Sequence, residues 1–111
     1  MLRILAGMHN EKSIKMKTHA IRIHQFGGPD VLRFEQVNLP EPAAGEARIR
    51  HKAIGLNFID TYFRTGLYPS TLPAGLGSEA AGIVEAVGPG VNVVKVGDRV
   101  AYTGRPADAF S

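Results

Sequence analysis

Cysteine is absent from the 111 residues. Its absence excludes disulfides, thiolate zinc sites and cysteine nucleophiles together, and it is compatible with a reducing compartment. No apolar run approaches the ~18–20 residues that cross a membrane. Residues 1–15 lack the apolar stretch of a secretory signal. The histidines, His9, His19, His24 and His51, form neither an H-x-x-x-H nor an H-E-x-x-H spacing, so a metal centre has no support from spacing. No serine stands in a G-x-S-x-G elbow, which removes the usual hydrolase signature.

A basic partner surface is also missing, despite a formal net charge of +3. The excess lies at the start, where Arg3, Lys12, Lys15 and Lys17 face Glu11 alone. From residue 21 onward nine Lys/Arg balance nine Asp/Glu, with no basic stripe interleaved with aromatics, so nucleic-acid binding is not expected. What remains is ordinary globular material. Apolar residues make up 44% of the chain, close to the usual ~45–50%, and the length suits one domain. Thirteen glycines and seven prolines favour many turns and short strands over long helices. Residues 1–16 read as a disordered extension, because Met16-Lys17 directly precedes the first clear strand pattern. The fold is expected over residues 17–111.

Ala20 to Phe26 alternates Ile21 and Ile23 with Arg22 and His24, a half-buried strand that leaves His24 on the surface. Gly27-Gly28-Pro29-Asp30 is a turn, and Val31 to Val37 resumes an extended run. Leu39 to Glu46 reads as a loop. Ala47 to Ile54 alternates again, with Arg48, Arg50 and Lys52 on the wet face and His51 in phase with the interior. Asn57 to Thr65 changes period: Phe58, Ile59, Tyr62 and Phe63 suit a short helix with one buried face. Asn57 stands at the N-cap position with Asp60 three residues on, a capping box with a shorter acid, and Gly66 closes the helix. Residues 67–78 form an irregular loop. Glu79 to Val87 is a strand, Gly88-Pro89-Gly90 a turn, and Val91 to Tyr102 a strand pair broken at Gly97-Asp98. The fold class is therefore mainly β, a compact barrel with one short helix.

Gly75-Leu76-Gly77-Ser78-Glu79-Ala80 matches the G-x-G-x-x-A form of a dinucleotide fingerprint, with Asp98 roughly 20 residues on. The mechanism needs a strand before the glycines and a helix N-terminus after them. Here a Pro-flanked segment precedes and a strand-like run follows, so the glycines are expected to serve backbone bending or close packing. Asn57, Tyr62, Arg64 and Tyr68 form a polar constellation. By composition and spacing alone they read as a cap, a core aromatic with a wet hydroxyl, a surface cation and a loop aromatic.

Four ordered motifs weigh on that reading. Phe26-Gly27-Gly28-Pro29-Asp30-Val31-Leu32, Asn57 through Tyr68, Pro73 through Gly82, and Val96-Gly97-Asp98-Arg99-Val100 together resemble the zeta-crystallin-like quinone oxidoreductases of the medium-chain dehydrogenase/reductase superfamily. The resemblance covers residues 17–111. It implies a GroES-like, partly open β-barrel, truncated before the Rossmann domain and incomplete at its C-terminal end. Zinc-dependent relatives place a cysteine ligand where this chain has Asn57 and a histidine ligand where it has Ser78, so the zinc-free branch is implied and Glu79 is left a structural part.

The implied reaction is hydride transfer from NADPH to a small-molecule quinone, in the cytoplasm, with no nucleic acid and no membrane, and a homodimer in the full-length form. By the same resemblance Asn57, Phe58, Ile59, Asp60, Thr61 and Tyr62 line the nicotinamide end of NADPH, and Arg64 and Tyr68 border the quinone; no catalytic side chain and no metal ligand is assigned. Adenosine and phosphate contacts would lie beyond Ser111. The alternative is a non-catalytic GroES-like interaction module, or an orphan fragment.

Overall fold

The computed structural model describes residues 3–5 and 14–104. Residues 105–111, His9 and most of the segment set apart as an extension lie outside the described residues. Strands β1 (Arg3–Leu5), β2 (Ile14–Ile23), β3 (Arg33–Pro40), β4 (Glu46–Ile54), β5 (Ala74–Gly75), β6 (Glu79–Val87) and β7 (Arg99–Thr103), with helix α1 (Ile59–Thr65) between β4 and β5, account for the ordered elements. They build two sheets, β1-β4-β6-β7 and β3-β2-β5, and neither closes on itself. The architecture is the mainly β fold that the strand spacing predicts, in the partly open form that the resemblance implies. β1 falls inside the segment 1–16, where it pairs in parallel with β4, and β2 begins at Ile14.

Each sheet carries its own apolar cluster. Ile23, Val31 and Leu76 are buried together, with Ile21, Phe63, Leu72 and Ala74 packed around them. Ala47, Ile49 and Val84 form the second cluster, backed by Val87, Val94 and Val100. Along β6 the buried positions are Ala80, Gly82 and Val84, the period of two that one covered face requires.

Several local expectations fail for identifiable reasons. Arg48 is buried instead of wet: its Nε donates to Glu85 at 2.7 Å and its Nη1 to Glu41 at 3.4 Å, so paired carboxylates make burial tolerable. A register shift in β4 between Arg48 and Ile49 lets consecutive residues both turn inward. His24 is exposed and bonded to Glu35, while Arg22 is buried; β2 ends at Ile23, so the alternation does not carry from one to the other. Pro29–Val31 forms a single 3-10 turn and β3 begins only at Arg33, continuing to Pro40 where a loop was expected.

Val91 to Asp98 forms no strand. Asp98 accepts the Val84 N–H at 2.9 Å, and Gly97 donates back to Val84 at 2.8 Å, so a turn meets β6 where a ladder was expected.

Candidate functional site

Helix α1 follows β4 after a four-residue link and is fixed at both ends. The Asn57 N–H donates to Asp60 Oδ2 at 2.9 Å, the returning half of the predicted capping box, and Asp60 is only 5% exposed. No side-chain cap bond forms at the helix start. At the other end Gly66 adopts φ 86°, the left-handed conformation that ends helices, and the Phe26 ring lies against its Cα. The Gly27 N–H donates to the Arg64 carbonyl at 3.0 Å and Arg64 Nε donates to the Gly27 carbonyl at 3.1 Å. Phe63 packs on the Ile23 cluster. The helix is thereby tied to the turn that follows β2.

These ties leave an apolar surface on the outside. Leu56, Phe58, Leu67 and Tyr68 are 79%, 74%, 65% and 44% exposed. The aromatic rings form an edge-to-face ladder: Phe58 to Tyr62 at 5.5 Å, Tyr62 to Tyr68 at 5.3 Å and Tyr68 to Phe63 at 5.7 Å between centroids. Such pairs are stabilising beyond area burial. The chain after the helix is held by the Tyr68 N–H on the Tyr62 carbonyl at 3.2 Å. Large exposed apolar patches mark contact or ligand sites. Of the residues expected to line the cleft, Phe58 and Ile59 project outward and Tyr62 and Thr61 are half-buried, whereas Asp60 is engaged in capping. Arg64 Nε is engaged with Gly27.

Next to this surface an open groove of about 580 Å³ runs along the ends of β4, β6 and β7, lined by Ala53–Gly55, Glu79–Ala81 and Ala101–Thr103. The Gly55 N–H donates to the Glu79 carbonyl at 3.2 Å, and a Cβ at Gly55 would overlap the Glu79 side chain. Tyr102 on the groove wall bonds His51 at 2.8 Å. Sequence reasoning missed both the groove and this pair: the partners lie 51 residues apart and neither belongs to a motif.

After Gly75 and Gly77 the chain enters strand β6, with no helix N-terminus to receive a pyrophosphate, as expected for the G-x-G-x-x-A segment. Among the described residues no three His, Cys, Asp or Glu side chains gather as a metal site would require. No helix among them is long and apolar enough to cross a membrane.

Residues 43–109 match the family described as the alcohol dehydrogenase GroES-like domain. The chain is 56% identical over 92 residues to a quinone oxidoreductase of Pseudomonas aeruginosa, covering 82% of this chain and 28% of that relative. The crystal structure of Escherichia coli quinone oxidoreductase complexed with NADPH matches with a TM-score of 0.82 at 50% identity, over 85% of this chain and 29% of that one. A crystal structure of 2-haloacrylate reductase matches with a TM-score of 0.77 at 44% identity, over 85% and 27%. The chain spans less than a third of the length of each.

Proposed function

Because this chain belongs to the alcohol dehydrogenase GroES-like domain family, we propose that it is the substrate-side part of an NADPH-dependent, zinc-independent quinone reductase acting in the cytoplasm. The observation that carries the reading is the exposed apolar surface of α1 and its flanks, on a chain 56% identical to a quinone oxidoreductase. Phe58 and Ile59 offer apolar faces to a nicotinamide ring, and the Asn57 amide offers hydrogen bonds. The Asp60 carboxylate, fixed on the Asn57 N–H, sets the geometry of that segment. Tyr68 and Arg64 border the acceptor. The domain takes in β1 and all of β2 besides the expected span from residue 17, and the phosphate end of the cofactor is held elsewhere.

Bound NADPH supplies hydride; the protein supplies binding, orientation and electrostatics. The aromatic ladder from Phe58 to Tyr68 keeps its wall rigid, which limits the ordering cost of placing a flat acceptor. An amide and a phenol orient such a ring without a metal ion. The activated alkene named in the 2-haloacrylate relative keeps enones within the acceptor class to be assayed.

The test measures NADPH oxidation with a simple quinone and with an enone. The chain alone is expected to be inactive. Joined to the cofactor-binding part of the Pseudomonas aeruginosa relative, it is expected to reduce the quinone. A folded, NADPH-binding joined protein that reduces neither acceptor overturns the reading.

A second reading rests on β7, whose outer edge pairs with no strand among the described residues. Unpaired edges invite strand addition, which supports a non-catalytic interaction module. A discrete oligomer in light scattering, together with an inactive joined protein, would favour it.

A further inference from the structure

Strand β7 forms one edge of the four-stranded sheet, and two contacts at its ends set the phase of its backbone bonds. The Val84 N–H donates to the Asp98 carbonyl at 2.9 Å, and the Gly104 N–H donates to the Ser78 carbonyl at 2.7 Å. Both fit the register of β6 and β7, which sets Ile83 beside Arg99, Ala81 beside Ala101 and Glu79 beside Thr103 without a bulge. Bonded and non-bonded pairs alternate in an antiparallel ladder. Val100 and Tyr102 therefore bond to β6, whereas Arg99, Ala101 and Thr103 turn their N–H and C=O groups to the open edge. The other edge strands are poorer templates: β1 and β5 have three and two residues, and β3 ends on Pro40.

The side chains along this edge carry complementary charge. Arg99, Ala101 and Thr103 are exposed, and they share the face opposite Val84 and Val100. A cation stands at one end of the strand, and the Glu79 carboxylate lies beside its other end at Thr103. Among the described residues neither Arg99 nor Glu79 takes part in an ion pair.

We propose that β7 pairs antiparallel with β7 of a second copy of this chain, about a two-fold axis at Ala101. The proposal rests on the open-edge reading of β7, and it holds whether or not the chain takes part in catalysis. This register sets Ala101 opposite Ala101 and Arg99 opposite Thr103 of the second copy, so each outward N–H and C=O finds a partner. A slip of two residues leaves one outward position unmatched at each end. The same register places Arg99 and Glu79 of the second copy on either side of Thr103 of that copy. Their backbones are then two strand spacings apart, about 10 Å, a span that arginine and glutamate side chains bridge together. The contact is isologous, so it closes at two copies. Strands of five residues make a small interface, one that dissociates on dilution.

The whole chain is followed by light scattering, and its mass is expected to fall from dimer to monomer on roughly hundredfold dilution. Ala101→Pro removes an N–H that faces away from β6, a place where an edge strand tolerates proline, and is expected to give a monomer with unchanged circular dichroism. The chain has no cysteine of its own, so single cysteines under mild oxidation read the register. Ala101→Cys is expected to link to itself; Thr103→Cys is expected to link only when mixed with Arg99→Cys. Reversing one charge, by Arg99→Glu or Glu79→Arg, is expected to raise the dissociation constant about 10-fold, and the double reversal to restore it.

A folded wild type that stays monomeric at every concentration overturns the proposal together with the open-edge reading. Dimers that survive Ala101→Pro, or that link through Thr103→Cys alone, overturn this pairing and leave the edge reading standing. A mass that grows past the dimer overturns the two-fold contact in the same way.

Discussion

Arg64 and Gly27 exchange hydrogen bonds in both directions, amide to carbonyl at 3.0 Å and guanidinium Nε to carbonyl at 3.1 Å. The pair ties the last turn of α1 to the turn that ends β2, and so fixes the wall that carries Tyr62 and Tyr68. Arg64→Ala removes the side-chain bond and its stem packing, and is expected to destabilise by about 1–2 kcal/mol. Arg64→Lys is expected to recover little, since lysine has no donor at the Nε position. Urea unfolding of the three proteins checks both values, and wild-type stability in the alanine variant would show that the backbone bond suffices.

Two carboxylates serve Arg48 unequally. Glu85 lies at 2.7 Å with its side chain 27% exposed, and Glu41 at 3.4 Å with 49% exposed. Glu85→Gln is expected to cost about 2 kcal/mol, and Glu41→Gln less than about 1 kcal/mol. Equal costs in chemical denaturation would contradict this ranking.

Glycines at positions 82 and 90 are required for different reasons. A Cβ at Gly82 would overlap the Arg50 carbonyl in the neighbouring strand, whereas Gly90 faces open space at φ 78°. Gly82→Ala is expected to cost about 3 kcal/mol by forcing β4 and β6 apart. Gly90→Ala is expected to cost about 1 kcal/mol from its left-handed backbone alone. Thermal melts of the two variants should separate clearly.

Asp98 gives the stability a defined acid limb. Its carboxyl is held below the ordinary 3.8, first by the Lys95 N–H at 2.9 Å; partial burial opposes this, and the Lys95 ammonium at 3.3 Å reinforces it. A lowered folded-state value means the contribution is fully present above the ordinary value and is lost as pH falls through the folded one. Asp98→Asn is therefore expected to flatten the fall in melting temperature below pH 3.8. Parallel curves for the two proteins over that range would refute it.

How much the sequence reveals depends on how far apart the deciding residues stand. Strand β6 has the bounds its alternation predicts, Glu79–Val87. Gly66 caps α1, and Asp60 reaches back to the Asn57 N–H, because both events are settled within a few residues of chain. The four ordered motifs likewise carry the family, since spacing along the chain is all they need. The 91–98 segment misleads by composition: Val93 and Val96 are 71% and 60% exposed, and only a turn joined to Val84 accommodates them.

The local pattern by itself determined the mainly β architecture, the place of α1 and its glycine stop, and the strand that follows Gly77. Tertiary structure alone decided that Arg48 turns inward between Glu85 and Glu41, that Phe58 and Tyr68 share one exposed aromatic wall, and that His51 meets Tyr102. These depend on strand register and on the size of the residue in between. A period of two sets which face a side chain takes, but a bulge beside Arg48 reverses it, and a glycine in β6 lets side chains touch across a strand that would otherwise separate them.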